Sequence, residues 1–206
     1  MSGEPLPLFP LQVVLFPNSA LSLHIFEERY KVLINECVSD NKELGIILVN
    51  ESKMSEIGCT ATVKDVLQKY EDGRLDIVVQ GGRRYKLYRY DYDLAPYTVG
   101  FVQYLENSDE PVDPPLAQET IELFNKLVSV VYRQKFEPVP LDIRSDDLSF
   151  LLAQKAGMSL NQRQGLLELV SENKRLQMLR GYFVDVIPKL AQLEEVERII
   201  RSDGYV

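Results

Sequence analysis

The chain has 206 residues, of which 45% are hydrophobic and 26% are charged, the composition of a globular protein with a sizeable core. Its net charge is −8, and the acidic excess is larger before residue 110 than after it. No nucleic-acid partner is expected, because neutralising phosphates requires an excess of basic side chains. The start lacks the basic segment of a signal peptide, and no apolar run approaches the ~20 residues that cross a bilayer. We expect a cytoplasmic protein with no membrane contact.

The first hundred residues have the patterns of strands, interrupted by one helix. Residues 6–11 are apolar but contain prolines, which predicts a short edge strand. Residues 20–26 alternate between apolar and polar, as in a half-buried strand. Residues 27–38 carry apolar side chains three and four positions apart, which predicts an amphipathic helix. The continuous apolar run at 44–49 predicts a strand buried on both faces.

A hairpin and a last strand complete this part of the chain. Residues 59–67 alternate again, and the Asp-Gly step within 71–74 predicts a tight turn. The strand that begins at Leu75 meets Gly81-Gly82, which predicts a bulge or sharp bend followed by further extended chain. Residues 97–105 are the last predicted strand.

The segment 107–115 is rich in Asp, Glu and Pro and predicts a boundary between two parts of the chain. We predict a strand-rich part at 1–110 and a helical part at 111–206. The helical part contains a break at 136–141 and a capping box formed by Ser159 and Gln162. Pro188 lies inside its long final stripe, which predicts a kink or two successive helices.

The sequence contains no motif that predicts catalysis or a cofactor. The dipeptide Gly-Lys is absent, so there is no Walker A loop, and no Gly-x-Gly-x-x-Gly fingerprint follows a strand. His24 is the one histidine and lies in an alternating strand, which indicates a surface or hydrogen-bonded side chain rather than a base or metal ligand. Cys37 and Cys59 lie in apolar patterns and are expected to be small buried hydrophobes. We predict no catalytic residue, no metal site and no cofactor.

A tyrosine-rich stretch at 85–92 is the most informative polar segment. In a regular strand, Tyr88, Tyr90 and Tyr92 share one face. Tyrosine combines a large apolar area with a hydroxyl group, which suits a binding surface. The alternative is that these side chains pack beneath the helical part.

The opening residues carry a resemblance to a known family. The runs are LPLFPL at 6–11, VLFP at 14–17 and LSLHIFEERY at 21–30. In order and spacing, they resemble the start of the amino-terminal substrate-binding domain of Lon proteases. The later runs IGCTATV at 57–63 and DGRLDIVVQGGRR at 72–84 are similar to the family's next pattern. The helical half also resembles the second subdomain of the family.

The resemblance implies an α+β fold, a PUA-like six-stranded pseudo-barrel followed by a helical bundle with a long final helix. It implies core positions for Phe9, Phe16 and Phe26, and a capping or bracing role for Glu27 and Arg29 at the first helix. Lon proteases also have ATPase and peptidase modules, which this chain is expected to lack.

The interpretation that follows is a non-catalytic module that binds unfolded or tagged polypeptide, or a partner protein. The predicted contacts are Tyr88, Tyr90, Tyr92 and Arg29. Two alternatives remain, an RNA-binding protein, because PUA-like barrels also occur in RNA-modifying proteins, and a cryptic hydrolase. The acidic first part argues against RNA, and the absent motifs argue against hydrolysis.

Overall fold

Strands dominate the first half of the chain and helices the second in the computed structural model, which describes residues 3–50, 53–132, 145 and 147–203. The strands are β1 Glu4–Leu11, β2 Ala20–Ile25, β3 Leu44–Asn50, β4 Lys53–Met54, β5 Ile57–Lys69, β6 Leu75–Asp91 and β7 Val99–Tyr104. The helices are α1 Glu28–Asp40, α2 Pro114–Tyr132, α3 Leu148–Ala153, α4 Leu160–Glu168 and α5 Glu172–Asp203. The predicted α+β class, with a strand-rich sheet and C-terminal helices, is confirmed. The predicted break at 136–141 lies outside the described residues.

Two compact units divide the chain. The first extends to Asn107 and also takes in Met158–Val170, which contains α4. The second comprises Ser108–Gly157 and the chain from Ser171 onward. The sequence placed the whole of 111–206 in one helical part, whereas the contacts group α4 with the strands.

β1 links the two ends of the sheet by changing its partner halfway along. Its first half pairs with β7 in antiparallel fashion, and its second half pairs with β3 in parallel fashion. The path β1-β7-β6-β5-β3 therefore returns to β1. The prediction of a short edge strand at 6–11 was wrong, because the strand has two partners. The prolines are accommodated because each half of β1 forms its ladder with only one neighbour.

α1 packs one stripe against the apolar interior of the first unit. Its buried residues are Tyr30, Leu33, Ile34 and Cys37, as the spacing predicted. Both cysteines are buried and neither forms a disulfide, and burial raises the pKa of the Cys37 thiol to about 11. At neutral pH Cys37 is therefore a protonated, apolar core residue.

Phe26 was predicted to be core, and this prediction was wrong. Phe9 and Phe16 are buried as expected, but Phe26 is 61% exposed. Ile25 is the last inward-facing residue of β2, so the alternation of the strand turns Phe26 outward, where its ring stacks with His24.

β6 passes Gly81-Gly82 without ending, and the bulge predicted there is confirmed. Cys59 of β5 pairs with Arg84 and Ala61 pairs with Gly81, so β6 has one extra residue in this interval. A Cβ at Gly81 would lie 2.1 Å from the carbonyl oxygen of Phe16. Glycine is therefore required here for a close approach between two backbone segments.

Arg84 joins α4 to the strands. Its side chain is buried, and Nη1 donates to the carbonyl oxygens of Leu167 and Leu169 at 3.0 and 2.7 Å. Nη2 donates to Glu106 O and to Asn107 Oδ1. The acceptors at 167 and 169 lie at the end of α4, where the helix dipole favours a positive charge.

The second unit has a buried ion pair of its own. Arg175 and Glu172 lie one turn apart at the start of α5, and Arg175 Nη2 is 2.7 Å from Glu172 Oε2. Glu172 also accepts hydrogen bonds from the amide and hydroxyl of Ser149, which connects α5 to α3. α5 continues through Pro188 as one helix, so the alternative of two successive helices was wrong. The predicted capping box at Ser159 and Gln162 is confirmed.

No helix in the described ranges is long and apolar enough to span a bilayer.

The close approach at Gly81 predicts that Gly81→Ala and Gly181→Ala change the free energy of unfolding in opposite directions. Gly81→Ala should lower the free energy of unfolding by about 1–3 kcal/mol, because the new methyl group meets the Phe16 carbonyl. Gly181→Ala, within α5 and with no atom within 4 Å of the added carbon, should raise it by about 0.5–1 kcal/mol. Urea unfolding of both variants measures the difference. Equal stabilities would contradict the close approach at Gly81.

Arg84 predicts a second contrast, with its neighbour Arg83 as the control. Arg84→Met should cost about 3 kcal/mol of unfolding free energy, because the buried or partly buried carbonyl groups of Leu167, Leu169 and Glu106 lose their charged donor. Arg83→Met should cost only about 0–1 kcal/mol, since the ion pair of Arg83 with Glu43 is exposed to solvent. Thermal and urea unfolding test the pair. If Arg83→Met lowered the free energy of unfolding as much as Arg84→Met does, the role of Arg84 in joining α4 to the strands would be contradicted.

Candidate functional site

The four predicted contact residues all lie in the first unit, and each has an exposed side chain. Tyr88 and Tyr90 lie near the end of β6, and Tyr92 directly follows that strand. Arg29 lies in the first turn of α1. The exposed fractions of the three tyrosines are 47%, 46% and 61%. They are surface side chains, so the alternative that they are buried does not hold.

A bulge separates Tyr88 from the other two tyrosines. Leu87 pairs with Val102 and Arg89 pairs with Phe101, so Tyr88 is an extra residue on β6. The Tyr88 hydroxyl donates to Gln103 Oε1, and the Lys86 ammonium lies 5.9 Å from the centre of its ring.

Beyond the bulge, each side chain of β6 faces the side of the sheet opposite to the one it would face in a regular strand. The guanidinium of Arg89 stacks over Phe101 at 3.4 Å. Tyr90 lies opposite Gly100, and its ring meets that of Tyr92 edge-on at 5.3 Å between centroids. The prediction of one face shared by Tyr88, Tyr90 and Tyr92 was wrong, because the extra residue reverses the alternation.

Arg29 joins the pair formed by Tyr90 and Tyr92. It lines a cavity of about 320 Å³ together with Tyr30 and Tyr92. Its guanidinium lies 4.6 Å from the centre of the Tyr30 ring, and Nη2 is 2.8 Å from Glu27 Oε2. We call these four residues, Arg29, Tyr30, Tyr90 and Tyr92, the arginine–tyrosine cluster. Glu27 therefore braces the first helix through Arg29 and does not cap it by a side-chain hydrogen bond.

The rest of the cavity wall is mainly apolar with a few polar groups. Leu11, Val49 and Met54 supply the apolar surface, and Gln12 and Thr98 supply hydrogen-bonding groups. Such a wall accepts an apolar side chain and orients the polar groups next to it.

The phenols of Tyr30 and Tyr92 remain protonated at neutral pH. Burial raises the pKa of Tyr30, and the neighbouring Arg29 lowers it by a smaller amount. Burial also raises the pKa of Tyr92, and its hydrogen bond with Tyr90 acts in the same direction. Both side chains are therefore neutral amphipathic groups rather than bases or nucleophiles.

A second cavity, of about 650 Å³, adjoins β4 and shares Met54 with the first. Its wall is more polar and includes Lys53, Glu56 and Glu168. Met54 has a flexible thioether side chain, which adapts to different neighbours. The two cavities thus meet at a residue suited to a variable partner.

Sequence reasoning missed an aromatic cluster on β2. His24 Nδ1 is 2.6 Å from Asp76 Oδ1, and the Tyr70 hydroxyl donates to Asp76 Oδ2 at 2.7 Å. These hydrogen bonds, that of His24 first, lower the pKa of the Asp76 carboxyl. The His24 ring stacks with Phe26 and meets Tyr70 edge-on. The alternation of 20–26 contained the signal, since Ser22, His24 and Phe26 fall on one face.

Among the described residues, no set of three or more His, Cys, Asp or Glu side chains is arranged to hold a metal ion.

A family model describes most of the chain. The ATP-dependent protease La (LON) substrate-binding domain model matches residues 5–183. A Lon protease 3 from Sorangium cellulosum is 24% identical over 187 residues, which cover 84% of this chain and 22% of the relative. A Lon protease from Desulforamulus reducens is 24% identical over 208 residues, which cover 95% of this chain and 25% of the relative. The chain therefore spans about a quarter of the length of these curated relatives.

Two solved structures share the fold. A Lon N-terminal domain protein from Xanthomonas campestris superposes with a TM-score of 0.69 at 26% identity, covering 85% of this chain and 96% of that structure. The N-terminal domain of a Mycobacterium avium complex Lon protease superposes with a TM-score of 0.66 at 15% identity, covering 88% and 99%. Together with the family model, these matches show that the chain belongs to the ATP-dependent protease La (LON) substrate-binding domain family.

Proposed function

We propose that this chain is a non-catalytic module that binds unfolded or tagged polypeptide at the arginine–tyrosine cluster. The main observation in support of this proposal is the cavity that Arg29, Tyr30 and Tyr92 line on the surface of the first unit. The family to which the chain belongs is named for substrate binding, which supports the same class of ligand.

The chemistry of the cluster matches a polypeptide better than a small polar substrate. The exposed rings of Tyr90 and Tyr92 offer apolar area at a low cost in side-chain entropy, and their hydroxyl groups meet backbone amides or carbonyls. The Arg29 guanidinium carries donors for a carboxylate or a carbonyl group beside them. Binding energy at such a surface comes from burying a few aromatic anchors.

The finer fold assignment belongs to the same proposal. We infer that the returning path of strands is a PUA-like pseudo-barrel, and that strand-rich and helical parts divided near residue 110 together form one LON domain. The sheet has seven strands rather than six because the two-residue β4 is added to it. For RNA binding and for hydrolysis, the described residues contain no specific supporting observation.

Replacing Tyr92 with Ala should weaken binding of an unfolded polypeptide by about tenfold, the typical effect of losing one aromatic anchor. Tyr88→Ala is the matched control, since Tyr88 is an exposed tyrosine near the end of β6, four residues before Tyr92 and outside the cluster. Its affinity should change by less than about twofold. The measurement is fluorescence anisotropy with labelled, reduced and carboxymethylated lysozyme, with native lysozyme as the folded competitor.

Two outcomes would contradict the proposal. If the unfolded probe did not bind at all, the proposal that this chain binds polypeptide would be contradicted. Equal losses in the Tyr88 and Tyr92 variants would remove the assignment to the arginine–tyrosine cluster, although not the binding function.

A further inference from the structure

We propose that the free edge of β2 binds an extended polypeptide segment as an added strand. The proposal rests on the polypeptide-binding function and gives it a second surface and a mode of recognition. β2 pairs along its whole length with β6 on one side. On the other side, no hydrogen bond joins the backbone of β2 to any described residue.

The ladder identifies the backbone groups that face outward. Gly81 N donates to Ser19 O, and this pair continues into the register of β2 with β6. In an antiparallel ladder, every second pair exchanges hydrogen bonds. Leu21 and Leu23 therefore bond to β6, whereas the N–H and C=O groups of Ser22 and His24 point away from it.

The start of β2 is held in this register by a bulge. Asn18 N donates to Gly81 O, and Asn18 has a positive φ of 59°, as in bulges whose first residue is left-handed. The outward groups at Ser22 and His24 are thus fixed in an extended conformation before a partner arrives.

The open edges of β4 and of β5 are each protected, and that of β2 is not. Beyond its pairing with β3, β5 carries two register shifts and the charged side chains of Lys64, Asp65 and Lys69. Bulges and charges of this kind block the addition of a strand. β4 has only two residues. β2 has six residues, none of which is Pro, Lys, Arg, Asp or Glu.

The side chains of β2 indicate which segment fits. Leu21 and Leu23 are partly buried against the main core cluster and leave apolar surface at the edge. On the outer face, His24 and the exposed Phe26 form an aromatic surface that Asp76 holds in place. An added strand with alternating apolar and polar residues would extend both faces. An extended polypeptide backbone supplies donors and acceptors at the spacing of the outward groups of Ser22 and His24, so the proposed occupant is an extended polypeptide.

Amide hydrogen exchange by NMR tests the proposal on the unmodified protein. The probe is a short synthetic peptide that alternates valine and threonine. Without it, the amides of Ser22 and His24 should exchange fast while those of Leu21 and Leu23 are protected by β6. With it, exchange at Ser22 and His24 should slow by about tenfold or more, since both amides gain hydrogen bonds. The fully N-methylated peptide, which has no backbone donors, should have no effect.

A substitution at one position supplies the matched control. Ser22→Pro removes an outward N–H while leaving the ladder to β6, and proline is tolerated at the solvent side of an edge strand. It should weaken peptide binding by about tenfold. Ser22→Ala keeps the N–H and should bind within about twofold of the original protein. If Ser22→Pro fails to fold, the exchange experiment still decides.

The outcomes separate this proposal from the one before it. If the unfolded probe and the peptide both fail to bind, polypeptide binding itself is wrong. If they bind and Tyr92→Ala weakens them while Ser22 and His24 still exchange fast, the strand addition alone is overturned. If Ser22 and His24 become protected without peptide as the protein concentration rises, a second copy occupies the edge, and the proposed occupant is wrong.

Discussion

The buried guanidinium of Arg84 is the interaction on which the arrangement of the first unit depends. A buried charge must be matched by acceptors, and Arg84 finds them in chain segments far apart in sequence, at 106–107 and at 167–169. Arg84 directly follows the interval in which β6 has one extra residue, and it pairs with Cys59 of β5. β6 is in turn the strand with which β2, β5 and β7 all pair. A displacement of Arg84 would therefore shift β6 and, with it, each strand that pairs with β6.

Local chemistry was enough to predict much of the fold. The buried stripe of α1, the turn at Gly73, the capping box and the bulge at Gly81-Gly82 each depend on residues close together in sequence. The return of α4 to the strands was not predictable in this way, because the acceptors that it offers to Arg84, at Leu167 and Leu169, are backbone carbonyls. Backbone carbonyls belong to every residue, so a sequence does not reveal which of them a buried arginine will select.

The candidate site was predictable only in part. Tyr90, Tyr92 and Arg29 were named from the sequence and are exposed, whereas Tyr30 was assigned only to the buried stripe of α1 and Tyr88 lies outside the cluster. Their grouping depends on one unpaired residue, Tyr88, whose bulge arises from the pairing of β6 with β7. Periodicity assumes an uninterrupted strand, and it therefore fails beyond a bulge. Phe26 was misplaced for a related reason: a motif resemblance overrode the alternation that already turned this residue outward.

The bulge at Tyr88 also changes how the end of β6 responds to insertions and deletions. One extra residue acts as a shift of phase, so every side chain beyond it is presented to the opposite face. Removing a single residue there would exchange the set formed by Tyr90 and Tyr92 for the set that includes Arg89 and Asp91, without any substitution. The surface chemistry at this end of the sheet therefore depends on the number of residues as well as on their identity. Two homologues with the same residues and a one-residue gap would present different surfaces to a partner.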